Sequence, residues 1–108
     1  MQGHEILWQR HTGLVVTAKF PFEEIKTAPN IRRRKFSSST NDEELTWHRD
    51  REDRQVLVVE SQGWFLQMDD ELPVELIPGG VHLIKKNTWH RVIKRRACSD
   101  LIVEITLP

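Results

Sequence analysis

The sequence predicts an all-β domain, a sandwich or barrel of short strands, and three observations support this prediction. Its apolar stretches are only four to seven residues long, rich in Val, Ile, Leu and Trp, and separated by polar or Gly/Pro residues, which is typical of strands. No ten-residue amphipathic helical stripe is present. The links carry turn residues, as at Pro29-Asn30 and Pro78-Gly79-Gly80. Many short strands at this spacing favour a sandwich or barrel.

The N-terminal half contains four predicted strands. Glu5–Trp8 and Gly13–Phe20 are short β-prone stretches, and Ile31–Phe36 is a basic run bounded by apolar residues. Glu44–Arg49 follows a Ser-rich loop and contains Leu, Thr and Trp. Between the second and third strands, Phe22–Lys26 is predicted to form one helical turn.

The C-terminal half contains six more predicted strands, each bounded by polar turn residues such as Ser61-Gln62-Gly63, Asp69-Asp70 and Lys86-Asn87. These strands are Gln55–Glu60, Trp64–Met68, Val74–Leu76, Val81–Ile84, Thr88–Ile93 and Leu101–Thr106. Because no linker or internal repeat interrupts the series, residues 1–108 are predicted to form a single domain.

Composition restricts the partners and the compartment. Sixteen Lys and Arg balance sixteen Asp and Glu, so the strongly basic field that nonspecific nucleic-acid binding needs is not expected. Charged residues are scattered through the first twenty positions, so we expect neither a signal peptide nor a membrane span. Cys98 is the only cysteine, which excludes an internal disulfide and a cysteine zinc site. A cytoplasmic protein is therefore predicted.

The region from Trp47 to Val92 resembles the cupin superfamily in its two motifs. In the second, G-x5-P-x-G-x2-H-x3-N, Gly79 and His90 take the glycine and histidine positions at the correct spacing. Lys85, Asn87 and Lys94 stand at the proline, second glycine and asparagine positions. Since asparagine tolerates a positive φ better than other non-glycine residues, the turn before His90 is expected to persist.

In the first motif, G-x5-H-x-H-x3,4-E-x6-G, His48 matches the first histidine, Asp50 stands at the second and Gln55 stands at the glutamate. Asp42 occupies the opening glycine position, and Gly63 comes one residue after the closing one. The resemblance implies a double-stranded β-helix (jelly-roll) barrel of the cupin type. It also implies a divalent transition metal, Fe, Mn, Ni or Zn, held by His48, Asp50, Gln55 and His90.

The residue types agree with that implication. His48 and Asp50 are two apart on a predicted strand, so their side chains leave the same face. Two histidines and a carboxylate on one face of a metal form the facial triad of non-haem iron oxygenases. His48-x-Asp50 followed by His90 also resembles the H-x-D…H motif of 2-oxoglutarate oxygenases, for which Arg95 or Arg96 is a candidate ligand of the co-substrate carboxylate.

Three functional interpretations remain open at this point. The first is a metal-dependent enzyme of the dioxygenase or isomerase type, with Asp50, His48 and His90 as catalytic residues and a small polar molecule as substrate. The second is a non-catalytic ligand-binding or sensor barrel without metal. In the third, the charged run from His48 to Arg54 is a solvated turn, where Asp50 forms surface ion pairs with neighbouring arginines.

Three further predictions concern packing and assembly. Because Trp47 and Trp89 each precede a motif histidine, strand alternation places them outside the pocket. Arg32-Arg33-Arg34-Lys35 is predicted to be an exposed or interfacial strand, with binding of a phosphate or carboxylate of the substrate as the functional alternative. A homodimer through the β-prone segment Gly13–Phe20 is expected, since so short a chain buries apolar surface inefficiently.

Overall fold

The computed structural model describes residues 6–8 and 20–108, which contain ten strands and one 3-10 turn at Asp42–Glu44. The strands are β1 Ile6–Trp8, β2 Glu23–Ala28, β3 Ile31–Phe36, β4 His48–Asp50, β5 Arg54–Glu60, β6 Trp64–Met68, β7 Val74–Glu75, β8 Val81–Ile84, β9 His90–Lys94 and β10 Leu101–Thr106. Within residues 6–8 and 20–108, no helix is long and apolar enough to cross a membrane.

The strands form two five-stranded antiparallel sheets. One has the order β1-β4-β9-β6-β7, and the other has the order β2-β3-β10-β5-β8. In the second sheet, β10 pairs with both β3 and β5, which are separated from it and from each other in the sequence. Two antiparallel sheets with such long-range pairings within them are consistent with a jelly roll, so the all-β, jelly-roll prediction is confirmed.

The core lies between the sheets and follows the period-two alternation of the strands. On β5 and β10, every second residue is buried, because successive side chains point to opposite faces. Val58, Trp64 and Leu101 are almost fully buried. Trp64 Nε1 donates a hydrogen bond to the Ser99 carbonyl at 2.7 Å, so the polar end of this core indole is satisfied.

Two of the predicted elements are corrected. Phe22–Lys26 is not a helical turn: the chain there enters β2, which pairs with β3, and this sheet pairing overrides local helix propensity. Glu44–Arg49 is not one strand, because the 3-10 turn Asp42–Glu44 precedes it and β4 begins only at His48. The predicted strand Gly13–Phe20 lies, apart from Phe20, outside the described residues.

The turn before His90 has the backbone geometry that the sequence predicts. Asn87 adopts a φ of 61°, the left-handed conformation in which asparagine is favoured over other non-glycine residues. Its backbone N–H donates to the Asp50 carbonyl at 2.7 Å. This bond ties the turn before β9 to the end of β4, and these two strands carry the candidate site.

Candidate functional site

His48, Asp50 and His90 form one cluster on the inner face of the first sheet. β4 and β9 are antiparallel, with His48 directly opposite His90, and the two imidazole centroids are 4.3 Å apart. Asp50, two residues beyond His48, leaves the same face of β4. One potential ligand atom from each of the three residues lies within 4.8 Å of the other two. The prediction that these side chains converge is confirmed.

Both imidazoles bind a backbone carbonyl two residues earlier in the chain. His48 Nδ1 lies 3.1 Å from the Thr46 oxygen, and His90 Nδ1 lies 2.8 Å from the Thr88 oxygen. A carbonyl can only accept, so each Nδ1 carries a proton and donates it. In the neutral ring this leaves the Nε2 lone pair available.

Burial keeps both rings neutral. It lowers the pKa of His48 from 6.5 to about 3, with a further lowering from the neighbouring His90. Burial also lowers the pKa of His90, while the charge of Asp50 opposes that effect. Neutral imidazole is the form that binds a metal.

Asp50 is the most confined polar side chain of the cluster, at 2% exposure. Its Oδ2 lies 3.5 Å from His90 Nε2 and 3.5 Å from Arg54 Nε. Its Oδ1 is buried and has no hydrogen-bond partner among the described residues. The interpretation of Asp50 as part of a surface ion pair is therefore wrong, since both it and Arg54 are buried.

Gln55 does not join the cluster, which corrects its predicted placement at the metal. β5 begins at Arg54, and the buried positions on it are Arg54, Val56 and Val58. Gln55 consequently points to the outer face, where it is exposed and lines a surface groove with Leu83. The shorter spacing that the first motif allows, x3 rather than x4, places Arg54 at the glutamate position, and this is the side chain that enters the barrel.

Arg34 is a second inner-facing arginine that the sequence analysis did not single out. It is 4% exposed, donates from Nε to Glu24 and lies over the Phe22 ring, with 4.1 Å from the guanidinium carbon to the ring centroid. Period-two alternation could have found it, because Arg34 shares a face with Phe36, whereas Arg33 and Lys35 are exposed. The basic run is therefore an exposed strand with one buried member.

The cluster opens on a cavity of about 70 Å³ between the two sheets. Its polar lining comes from Arg34, Thr46, His48, Asp50, Arg54 and His90. Most of the wall is apolar and consists of Pro21, Phe22, Phe36, Leu45, Val56, Leu66, Leu76, Ile84, Val92, Leu101, Val103 and Ile105.

Aromatic and basic residues near the motifs lie on the other side of the first sheet. Trp47 and Trp89 are outside the cavity as predicted, and the guanidinium groups of Arg91 and Arg49 lie over their rings, at 4.7 and 5.0 Å from the centroids. Arg95 lies over the Phe65 ring at 4.9 Å and does not line the cavity. It is therefore not placed to hold a co-substrate carboxylate beside His90.

The three clustered residues are of the types and in the arrangement that could hold a metal ion. Imidazole and carboxylate ligands lie roughly 2.0–2.2 Å from a bound ion, and one potential ligand atom from each of the three residues lies within 4.8 Å of the others, so the side chains would move closer together to share one ion. Both histidines have the hydrogen-bonded Nδ1 that usually accompanies metal ligation through Nε2. Arg54 opposes metal binding, because its positive charge lies beside Asp50.

Comparisons with known proteins support the fold. No protein-family model and no curated protein matches the chain. Among solved structures, a cupin domain from Bordetella pertussis Tohama I is 19% identical, has a TM-score of 0.58 and covers 84% of this chain and 98% of its own. A cupin superfamily protein from Desulfitobacterium hafniense DCB-2 is 14% identical, has a TM-score of 0.58 and covers 92% and 98%. At these identities the likeness establishes the fold.

Proposed function

We propose that this chain, which has the cupin fold, binds one divalent transition-metal ion through His48, Asp50 and His90 and acts on a small polar molecule in the barrel. The ion is Fe, Mn, Ni or Zn, and the reaction is of the dioxygenase or isomerase type. One observation carries the proposal: His90 Nε2 faces Asp50 Oδ2 at 3.5 Å.

The protonation state of His90 makes this contact informative. Because Nδ1 donates to the Thr88 carbonyl and burial lowers the pKa of the ring, Nε2 of the neutral ring presents a lone pair. The carboxylate oxygen opposite is also an acceptor. Two acceptors facing each other in a buried site are unfavourable unless a cation or a hydrogen-bond donor lies between them. His48, held in the same tautomer, supplies a third ligand.

Three protein ligands leave coordination positions open for a substrate. A bound ion would supply Lewis acidity or redox chemistry. The chain itself contributes the orientation of both imidazoles, through Thr46 and Thr88, and a mostly apolar wall that limits access of water to the centre. Asp50 provides the negative charge that balances part of the charge of the ion.

The test is the metal content of protein purified without an affinity tag, by elemental analysis. We expect bound transition metal in the wild type and its loss in His48→Ala and His90→Ala. His82→Ala is the matched control, because His82 lies on β8 and does not line the cavity. If both cluster variants retain the wild-type metal content while folding normally, the proposed site is wrong.

Arg54 favours a second candidate, a metal-free ligand-binding or sensor barrel. Its guanidinium stands where cupins carry the metal-binding glutamate, and its Nε lies 3.5 Å from Asp50. In this alternative, Arg54 neutralises Asp50 and the histidines hydrogen-bond a ligand. Calorimetric titration of chelator-treated protein with Fe²⁺, Mn²⁺, Ni²⁺ and Zn²⁺ separates the two candidates, since the metal-free barrel predicts no binding that depends on His48.

A further inference from the structure

Arg54 has hydrogen-bonding capacity that the described residues do not use. Its side chain is 2% exposed, and its Nε and Nη2 are buried without a hydrogen-bond partner among these residues. The nearest acids, Asp50 and Glu52, are 3.5 and 3.6 Å away, whereas charge-assisted N–H···O bonds are usually about 2.7–2.9 Å long. Arg34, in contrast, donates to Glu24 and lies over Phe22.

We propose that the cavity binds a short-chain aliphatic monocarboxylate, whose carboxylate pairs with the Arg54 guanidinium and whose alkyl group lies against the apolar wall. A planar carboxylate matches the two-donor edge of a guanidinium. It would satisfy the donors that are otherwise buried without partners, which cost free energy while they stay so. The inference deepens the proposed function, because it names the ligand class for the same cavity.

The charge of the site limits the ligand to a monoanion. Arg34 and Arg54 bring two positive charges to the cavity, and Glu24, Asp50 and Glu52 bring three negative charges next to them. The formal charges of these five side chains sum to minus one. A bound divalent ion makes this sum positive by one, so one carboxylate restores neutrality. This neutrality requires the proposed metal, so metal and carboxylate should strengthen each other's binding.

The size and lining of the cavity limit the rest of the ligand. The cavity of about 70 Å³ has room for about five to seven water molecules at roughly 10–15 Å³ each. Propionate and butyrate have a comparable number of non-hydrogen atoms. Leu66, Val92 and Leu101, all in the cavity wall, offer apolar surface to the alkyl group.

The experiment is calorimetric titration of the full chain with butyrate, in metal-loaded and chelator-treated states, with butyramide as the uncharged ligand of nearly the same shape. We expect butyrate to bind metal-loaded protein at least tenfold more tightly than butyramide, and more tightly than it binds the chelator-treated protein. Arg54→Gln should weaken butyrate binding by about tenfold to a hundredfold, the usual range for losing a charge-assisted hydrogen bond. Arg96→Gln, at an exposed position, is the matched control and should leave the affinity unchanged.

Because Arg54→Gln leaves Asp50 without its cation and can affect folding, Arg54→Lys provides a second variant. It keeps the charge but loses the planar edge, so weakened butyrate binding by this folded variant supports the assignment. Equal affinity for butyrate and butyramide, or no binding of butyrate, overturns it. If no metal binds, only the metal proposal fails, and the titration of chelator-treated protein then decides the carboxylate site. Butyrate binding that depends on Arg54 supports that site. A lack of such binding refutes it.

Discussion

Acidification of the metal-free protein should destabilise it through His48, well above the pH at which carboxylates titrate. The folded-state pKa of His48 is about 3, against an ordinary value of 6.5, mainly because the ring is buried. The unfolded chain therefore takes up a proton that the folded chain rejects. The contribution of neutral His48 to the free energy of unfolding is fully present above pH 6.5 and is lost as the pH falls from 6.5 towards 3.

The size of this effect follows from the two pKa values. Each pH unit within that window costs about 1.4 kcal/mol for His48. Between about pH 8 and pH 5, His48 alone should reduce the free energy of unfolding by about 2 kcal/mol. His90, whose pKa burial also lowers, adds to the loss. Asp100, whose pKa is lowered by the backbone N–H of Ser38, loses its contribution only below its ordinary value of 3.8, outside this interval.

Urea unfolding of chelator-treated protein at several pH values between 8 and 5 measures the effect. His48→Gln should remove about 2 kcal/mol of the pH dependence, whatever its effect on stability at pH 8. His82→Gln is the matched control, because it removes an imidazole outside the cavity and leaves the His48 contribution in place. A wild-type stability that stays constant over this range, or a His48→Gln variant with the wild-type pH dependence, would refute the reasoning.

Three further predictions concern the outer face of β5, the turn before β9 and the assembly. Gln55→Glu should leave divalent-metal affinity unchanged in calorimetry, because Gln55 is exposed, and a tenfold rise would contradict that placement. Arg54→Glu, which puts a carboxylate beside Asp50, should raise the divalent-metal affinity. Asn87→Ala should lower the free energy of unfolding by about 1–2 kcal/mol in chemical denaturation because of the positive φ, whereas Asn87→Gly should change it little. Equal losses for the two variants would argue against this turn geometry. Light scattering should give about twice the 12.8 kDa chain mass, and deletion of the residues before Phe20 should lower the measured mass. A monomer at all accessible concentrations would exclude the dimer.

Strand alternation was sufficient to predict most of the barrel. Ile31–Phe36, Trp64–Met68, Val81–Ile84 and Leu101–Thr106 have the predicted bounds, because each is short, begins and ends at or near apolar or β-branched residues, and is bounded by turn residues. Glu23–Ala28 was not recognised, since all but its last residue are exposed and a hydrophobic pattern therefore carries little information there. Pairing with β3 determines its conformation.

The site was predicted in part for the same reason. His48, Asp50 and His90 were found because motif spacing and alternation agree on them. Arg54 was missed because the run from His48 to Arg54 contains mostly charged residues, which are normally solvated. Alternation extended backwards from Val58 and Val56 places Arg54 inside and Gln55 outside, but a buried arginine becomes plausible only when its partner Asp50 is known to be buried too.

That partnership bears on function more than on stability. Transfer of Asp50 and Arg54 from water to the barrel interior costs several kcal/mol per ion, and their mutual attraction at 3.5 Å offsets this cost only with good hydrogen bonds. The buried atoms Asp50 Oδ1 and Arg54 Nε and Nη2 have no such bonds among the described residues. An apolar pair of similar volume would pack against Val56 and the rest of the wall at no greater cost. A cation held by Asp50 and the two histidines, and an anion at the Arg54 donors, would each compensate one side of the pair.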